Sequence, residues 1–126
     1  METGRSVMLV EDEPMIALMV EDMLGAEGFE LIGLFTRNAD ALTFLSDHRP
    51  DLAVVDFSLA DGGADPLARN LRERRIPFLI ISGFSRSVAG GMFDGAPWLE
   101  KPFSREQFSS QICACLSDGA GSAASM

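Results

Sequence analysis

Leu52-Ala53-Val54-Val55-Asp56 sets four apolar residues in unbroken succession against a closing carboxylate. A short apolar run without alternation is what a strand buried on both faces requires. The same arrangement recurs on either side of it. Val7-Met8-Leu9-Val10 runs into Glu11-Asp12, and Phe78-Leu79-Ile80-Ile81 runs into Ser82. A weaker run, Pro97-Trp98-Leu99, passes through Glu100 into Lys101-Pro102. Open parallel sheets bind ligands outside the carboxyl ends of their strands. The pattern therefore predicts that three acids, a hydroxyl and an ammonium gather at one edge of one sheet.

Helical segments alternate with these runs. Pro14 suits a first helical turn, and Ile16, Met19, Val20, Met23 and Leu24 follow at three- and four-residue steps until Gly25 and Gly28. Leu31 to Phe35 reads as a second strand, and Thr36 is the expected cap of a helix carrying Ala41, Leu42, Phe44 and Leu45. After Asp56, Asp61-Gly62-Gly63 marks a loop, and Leu67, Ala68 and Leu71 mark a helix from about Ala64 to Arg74. Gly83, Gly90, Gly91 and Gly95 crowd the stretch before Trp98, so the fourth helix is expected to be short or disordered. Ser104 and Gln107 form a capping box for a last helix that buries Phe108, Ile112 and Leu116. This alternation predicts an α/β, flavodoxin-like, doubly wound sheet of five parallel strands in the order 2-1-3-4-5, with helices on both faces. One domain over residues 1–118 and a disordered tail over 119–126 are expected.

The chain has 126 residues, 47% of them hydrophobic, which suits one globular core. Ten basic residues stand against 19 acidic ones, a net charge of −9. Such a field disfavours phosphate backbones, so direct nucleic-acid binding is not expected. Cys113 and Cys115 are two apart and share no helical face, which argues against a metal pair or a disulfide. Reduced thiols, no apolar leader before Val7 and no membrane-length apolar stretch lead to the expectation of a cytoplasmic protein.

The acids carry the chemistry. Glu11 and Asp12 leave the first strand and Asp56 leaves the third, neighbours at the point where such a sheet reverses its winding. Three carboxylates there repel one another unless a cation sits among them, and Mg2+ suits an all-oxygen set. A carboxylate can attack a phosphoryl group to give an aspartyl phosphate, with a cation and Lys101 neutralising the oxygens and Ser82 donating a hydrogen bond.

Val10-Glu11-Asp12-Glu13-Pro14, Val54-Val55-Asp56-Phe57-Ser58-Leu59, Ile81-Ser82-Gly83 and Lys101-Pro102-Phe103 together resemble the receiver domain of bacterial two-component response regulators. The resemblance spans about Val7 to Leu116. It implies that Asp56 is the phosphoacceptor for a sensor histidine kinase or phosphotransfer protein. It implies that Glu11, Asp12, Asp56 and the Ser58 carbonyl hold Mg2+, that Ser82 and Lys101 contact the phosphoryl group, and that Lys101-Pro102 is a cis peptide. Pro77-Phe78-Leu79-Ile80-Ile81-Ser82-Gly83-Phe84 is similar to the motif of a stand-alone subgroup, the FATGUY receivers, with Ile80, Ile81, Ser82 and Phe84 replacing its Phe, Ala, Thr and Tyr. Trp98 occupies the place, three before the lysine, where receivers carry a Tyr or Phe that switches rotamer. Ser82, Phe84 and Trp98 are thus the implied switch.

The expectation is a monomeric, single-domain regulator that acts through a downstream protein or as a phosphate sink, without enzymatic turnover of outside substrates. Three alternatives stay open. A Mg2+-dependent aspartyl-phosphate phosphatase would want a second aspartate where Ser58 stands. A docking module would bind no Mg2+. The chain could also be the receiver portion of a larger regulator. Individual residues have plainer readings: Ser82 bonding its own turn, Trp98 as packing, and His48 as a charge at a helix end.

Overall fold

Each predicted apolar run is a strand of one parallel sheet. The structure, a computed structural model, describes residues 5–59, 61–85, 87, 93 and 95–124, with side chains of the last helix described through 117. Its elements in order are β1 (Ser6–Val10), α1 (Pro14–Ala26), β2 (Glu30–Phe35), α2 (Asn38–Leu45), β3 (Leu52–Asp56), β4 (Ser58–Leu59), β5 (Gly62–Gly63), α3 (Asp65–Glu73), β6 (Phe78–Ser82), β7 (Trp98–Glu100) and α4 (Arg105–Ala124). The main sheet has five strands in the order β2-β1-β3-β6-β7, all pairs parallel. With the small antiparallel hairpin β4-β5 set aside, that is the predicted 2-1-3-4-5 winding.

The unbroken apolar runs are explained by two cores, one on each face. Val7, Leu9, Leu52, Val54, Leu79 and Ile81 point to the side covered by α1 and α4. Met8, Val10, Ala53, Val55, Phe78 and Ile80 point to the side covered by α2 and α3. Successive strand residues face opposite ways, so both parities must be apolar. Ala17, Val20, Met23 and Leu24 of α1 and Phe108, Ile112 and Cys115 of α4 fill the first core. Ala41 and Leu45 of α2 and Leu67, Ala68 and Leu71 of α3 fill the second.

Local signals were mostly realised. Pro14 opens α1, and Gly28 takes φ +89° just past its end, a conformation that costs glycine nothing. The Ser104 hydroxyl accepts from the Gln107 N–H at 3.0 Å and the Gln107 side chain accepts from the Ser104 N–H at 2.8 Å, a complete capping box. The Lys101-Pro102 bond is cis.

Three expectations need correction or placement. Thr36 does not cap α2; Arg37 holds the cap position without a side-chain bond, and the Asp61 carboxylate reaches in from the β4-β5 hairpin to accept the N–H groups of Asn38 and Ala39 at 2.9 and 3.1 Å. The tail expected to be disordered from residue 119 is helical through Ala124; extending a formed helix costs little per residue, and Ala120, Ala123 and Ala124 favour it. The expected short or disordered fourth helix falls largely on residues 86, 88–92 and 94, outside the described residues.

Candidate functional site at the carboxyl edge of the sheet

Glu11 and Asp12 follow β1, and Asp56 ends the neighbouring β3, so parallel pairing alone brings the acids together. One carboxylate oxygen from each of Glu11, Asp12 and Asp56 lies within 4.8 Å of the others. Lys101 arrives just beyond β7, and its ammonium stands 3.2 Å from Glu11 Oε1 and 3.5 Å from Asp56 Oδ2. An open cavity here is lined by Asp12, Glu13, Asp56, Ser58, Gly83, Phe84 and Lys101.

The electrostatics of the cluster are unresolved by the protein alone. Glu11 is 1% exposed. Burial pushes its carboxyl from the ordinary 4.5 up to about 7; the Glu13 N–H opposes this, and the nearby Asp56 charge adds to it. Its Oε1 is buried and accepts no well-directed hydrogen bond, although the ammonium is in ion-pair range. For Lys101, burial alone would lower the pKa, but the charges of Asp56 and Glu11 outweigh it and hold the ammonium above its ordinary 10.5. A buried carboxylate oxygen without a donor, among three clustered acids, fits a hard cation with oxygen ligands.

The remaining predicted residues divide. The Ser58 N–H donates to Asp56 Oδ1 at 3.3 Å, which leaves the Ser58 carbonyl unused by that bond. Ser82 is buried at 1% exposure, and its hydroxyl accepts from the Phe84 N–H at 2.9 Å. That is the plainer reading of Ser82, realised here as a turn that ties down the loop after β6. Phe84 is 53% exposed on the cavity rim. Trp98 is packed inward against Phe57 and Phe93, with ring centroids at 5.2 and 6.0 Å, and its indole N–H donates to the Phe84 carbonyl at 3.0 Å. His48 stacks on Phe44 far from the cluster. Sequence reasoning missed Glu13, whose Oε1 is 3.4 Å from the Lys101 ammonium. The signal was a third acid directly after Glu11-Asp12.

Comparison with known proteins decides the family. The model of the response regulator receiver domain matches residues 7–112. The chain belongs to the response regulator receiver family. Receiver domains serve two-component signalling, and this one keeps the acid cluster and the lysine at the expected edge. It is 30% identical over 119 residues to the phyllosphere-induced regulator PhyR of Methylorubrum extorquens, covering 91% of this chain and 45% of that protein. It is also 30% identical to the polar-differentiation response regulator DivK of Brucella anthropi, covering 90% of this chain and 98% of DivK. The solution structure of SdrG from Sphingomonas melonis superposes with a TM-score of 0.81 at 33% identity, over 92% of this chain and 99% of SdrG. The chain spans about half the length of several curated relatives it matches, whereas DivK and SdrG match it nearly end to end. The match is to receivers as a whole and does not separate out the FATGUY subgroup. Among the described residues no helix is long and apolar enough to cross a membrane.

Proposed function

We propose that this receiver works as a stand-alone, FATGUY-like response regulator that takes a phosphoryl group onto Asp56. The donor is the phosphohistidine of a sensor kinase or phosphotransfer protein. The observation that carries the reading is the Lys101 ammonium 3.5 Å from Asp56 Oδ2, beside three clustered carboxylates. Glu11, Asp12, Asp56 and the Ser58 carbonyl would hold Mg2+, which when bound neutralises charge on the transferred oxygens. An Asp56 carboxylate oxygen forms the bond to phosphorus as the phosphorus–nitrogen bond breaks, and that electron pair stays with the departing imidazole. Lys101 then exchanges a carboxylate partner for a phosphoryl oxygen. Ser82 accepts the Phe84 N–H through a lone pair, so its own O–H can turn to donate to the same group. The Phe84 carbonyl is also held by Trp98, so a phosphoryl group that draws on Ser82 bears on Phe84 and Trp98 and shifts the population of their conformers.

Output passes to a downstream protein in the cytoplasm, or the domain acts as a phosphate sink. Turnover of an outside phosphoester is not part of this reading, since Ser58 stands where a phosphatase of the aspartyl-phosphate type needs a second aspartate. The test is intact mass after incubation with acetyl phosphate and Mg2+. The wild-type chain is expected to gain one phosphoryl group and Asp56→Asn none. Equal uptake by Asp56→Asn would remove the reading.

A further inference from the structure

Lys101 is the only lysine in the chain, and three carboxylates compete for it. Its ammonium is 3.2 Å from Glu11 Oε1, 3.4 Å from Glu13 Oε1 and 3.5 Å from Asp56 Oδ2. Two of its N–H donors are directed at Glu13 and Asp56, and Glu11 Oε1 stands in ion-pair range without a directed bond. A phosphoryl oxygen that approaches this ammonium competes with three carboxylates for its charge. Glu11 is buried, its side chain wholly inaccessible, and belongs to the acid cluster. Asp56 is the residue that bonds to phosphorus. Glu13 differs from both, with a side chain 63% exposed and no place in the cluster.

We infer that Glu13 is a positioning residue that restrains Lys101 before phosphorylation and competes with the phosphoryl group for the same ammonium. The inference rests on the reading of Asp56 as phosphoacceptor. Glu13 acts in two ways of the same sign. It accepts an ammonium N–H for which the acyl phosphate competes, and it places a negative charge on the rim that an anionic phosphodonor must cross. Its own N–H donates to Glu11 Oε2 at 3.1 Å, which fixes its backbone beside the cluster while leaving the side chain free to swing into water. Release is therefore inexpensive, and the restraint is a graded brake rather than a block. Its size is that of a partly screened ion pair, about two- to fivefold in rate.

The experiment compares Glu13→Gln with Glu100→Gln, which removes an equal charge from the exposed residue directly before Lys101 without removing a contact of its ammonium. Because there is one lysine, ε-13C-lysine labelling gives a single resonance that reports on Lys101 alone. Glu13→Gln is expected to move that resonance and to raise the rate of phosphoryl uptake from phosphoramidate at saturating Mg2+ by about two- to fivefold. Glu13→Asp, whose shorter side chain keeps the charge but loosens the contact, should fall between. A resonance unchanged in Glu13→Gln, or a rate gain no larger than that of Glu100→Gln, overturns the inference while leaving the phosphoacceptor reading intact. If the wild-type chain takes up no phosphoryl group under these conditions, the phosphoacceptor reading falls first and this inference with it.

Discussion

The two ends of the same strands treat charge in opposite ways. At the amino edge Arg49, Arg74 and Asp51 each meet a polar complement. The Arg74 guanidinium donates to the carbonyls of Leu45 and His48 behind α2, and Arg49 donates to the Arg74 carbonyl at 2.7 Å behind α3. Two cations thus satisfy two helix C-termini, where the exposed carbonyls concentrate partial negative charge. Asp51 accepts from both the backbone N–H and the hydroxyl of Ser6 at 2.8 and 3.2 Å, joining the starts of β1 and β3. At the carboxyl edge three acids face one another, one buried oxygen lacks a donor, and one ammonium is shared. The first arrangement is complete without a ligand. The second makes electrostatic sense only when something else is added. Buried charge left unreconciled is costly, so its presence marks the place where stability was given up for binding.

The sharpest way to break this comparison is Glu11→Gln. The substitution removes a buried ionisable group whose carboxyl is held up to about 7. The folded pKa lies above the ordinary 4.5, so the penalty is absent below 4.5, grows as pH rises toward 7, and is constant above. Glu11→Gln should therefore raise the unfolding free energy at pH 8 by about 2 kcal/mol, measured by urea titration, and flatten the slope between those pH values. It should weaken Mg2+ binding at least about tenfold, read from Trp98 fluorescence. In the wild type the same proton competes with the cation, so Mg2+ affinity should fall as pH drops below about 7. A Glu11→Gln protein less stable than wild type at pH 8 would mean that this edge is as well satisfied as the other.

The counterpart at the amino edge is Arg74→Met. It keeps much of the aliphatic stem and removes the donors to Leu45 and His48. It should cost about 1 to 2 kcal/mol of stability and leave Mg2+ affinity and phosphoryl uptake unchanged. A change in either site property would show that the two edges are not separate.

What could be read in the sequence follows the same division. The acids at strand ends were legible because an unbroken apolar run fixes a buried parallel strand, and the strand then dictates where its next residue must lie. Asp12, Asp56 and Lys101 needed no more than that. The Ser104–Gln107 capping box was legible because both of its bonds are local. Glu13 was not singled out, since its role depends on where a lysine 88 residues away comes to rest. Asp61 looked like part of a loop, and Thr36 like a cap, because local spacing knows nothing of a donor–acceptor pair 23 residues apart. The segment past residue 119 was expected to be disordered because its residues are small and polar and lie at a chain end, whereas α4 runs on to Ala124.

Asp61 gives the smallest effect and the finest test, because it belongs by position to the site and by behaviour to the opposite edge. It follows Asp56 in the β4-β5 hairpin, where Ser58 pairs with Gly63. Yet its carboxylate is spent on the N-terminus of α2, accepting from Asn38 and Ala39, while the Asn38 side chain returns a bond to the Gly63 carbonyl at 2.9 Å. The Asn38 N–H, and then that of Ala39, hold its carboxyl below the ordinary 3.8. A depressed folded pKa means that this contribution is present above 3.8 and is lost as pH falls through the lower folded value. Asp61→Ala should therefore lower stability near neutral pH by less than Arg74→Met does, and lose less than the wild type on further acidification. Its Mg2+ affinity should stay within about twofold of wild type, since a cap on α2 touches no member of the acid cluster. A larger loss of Mg2+ affinity would mean that the hairpin carries the state of Asp56 to α2, and that the line between satisfied and unsatisfied charge runs through the hairpin rather than along the sheet.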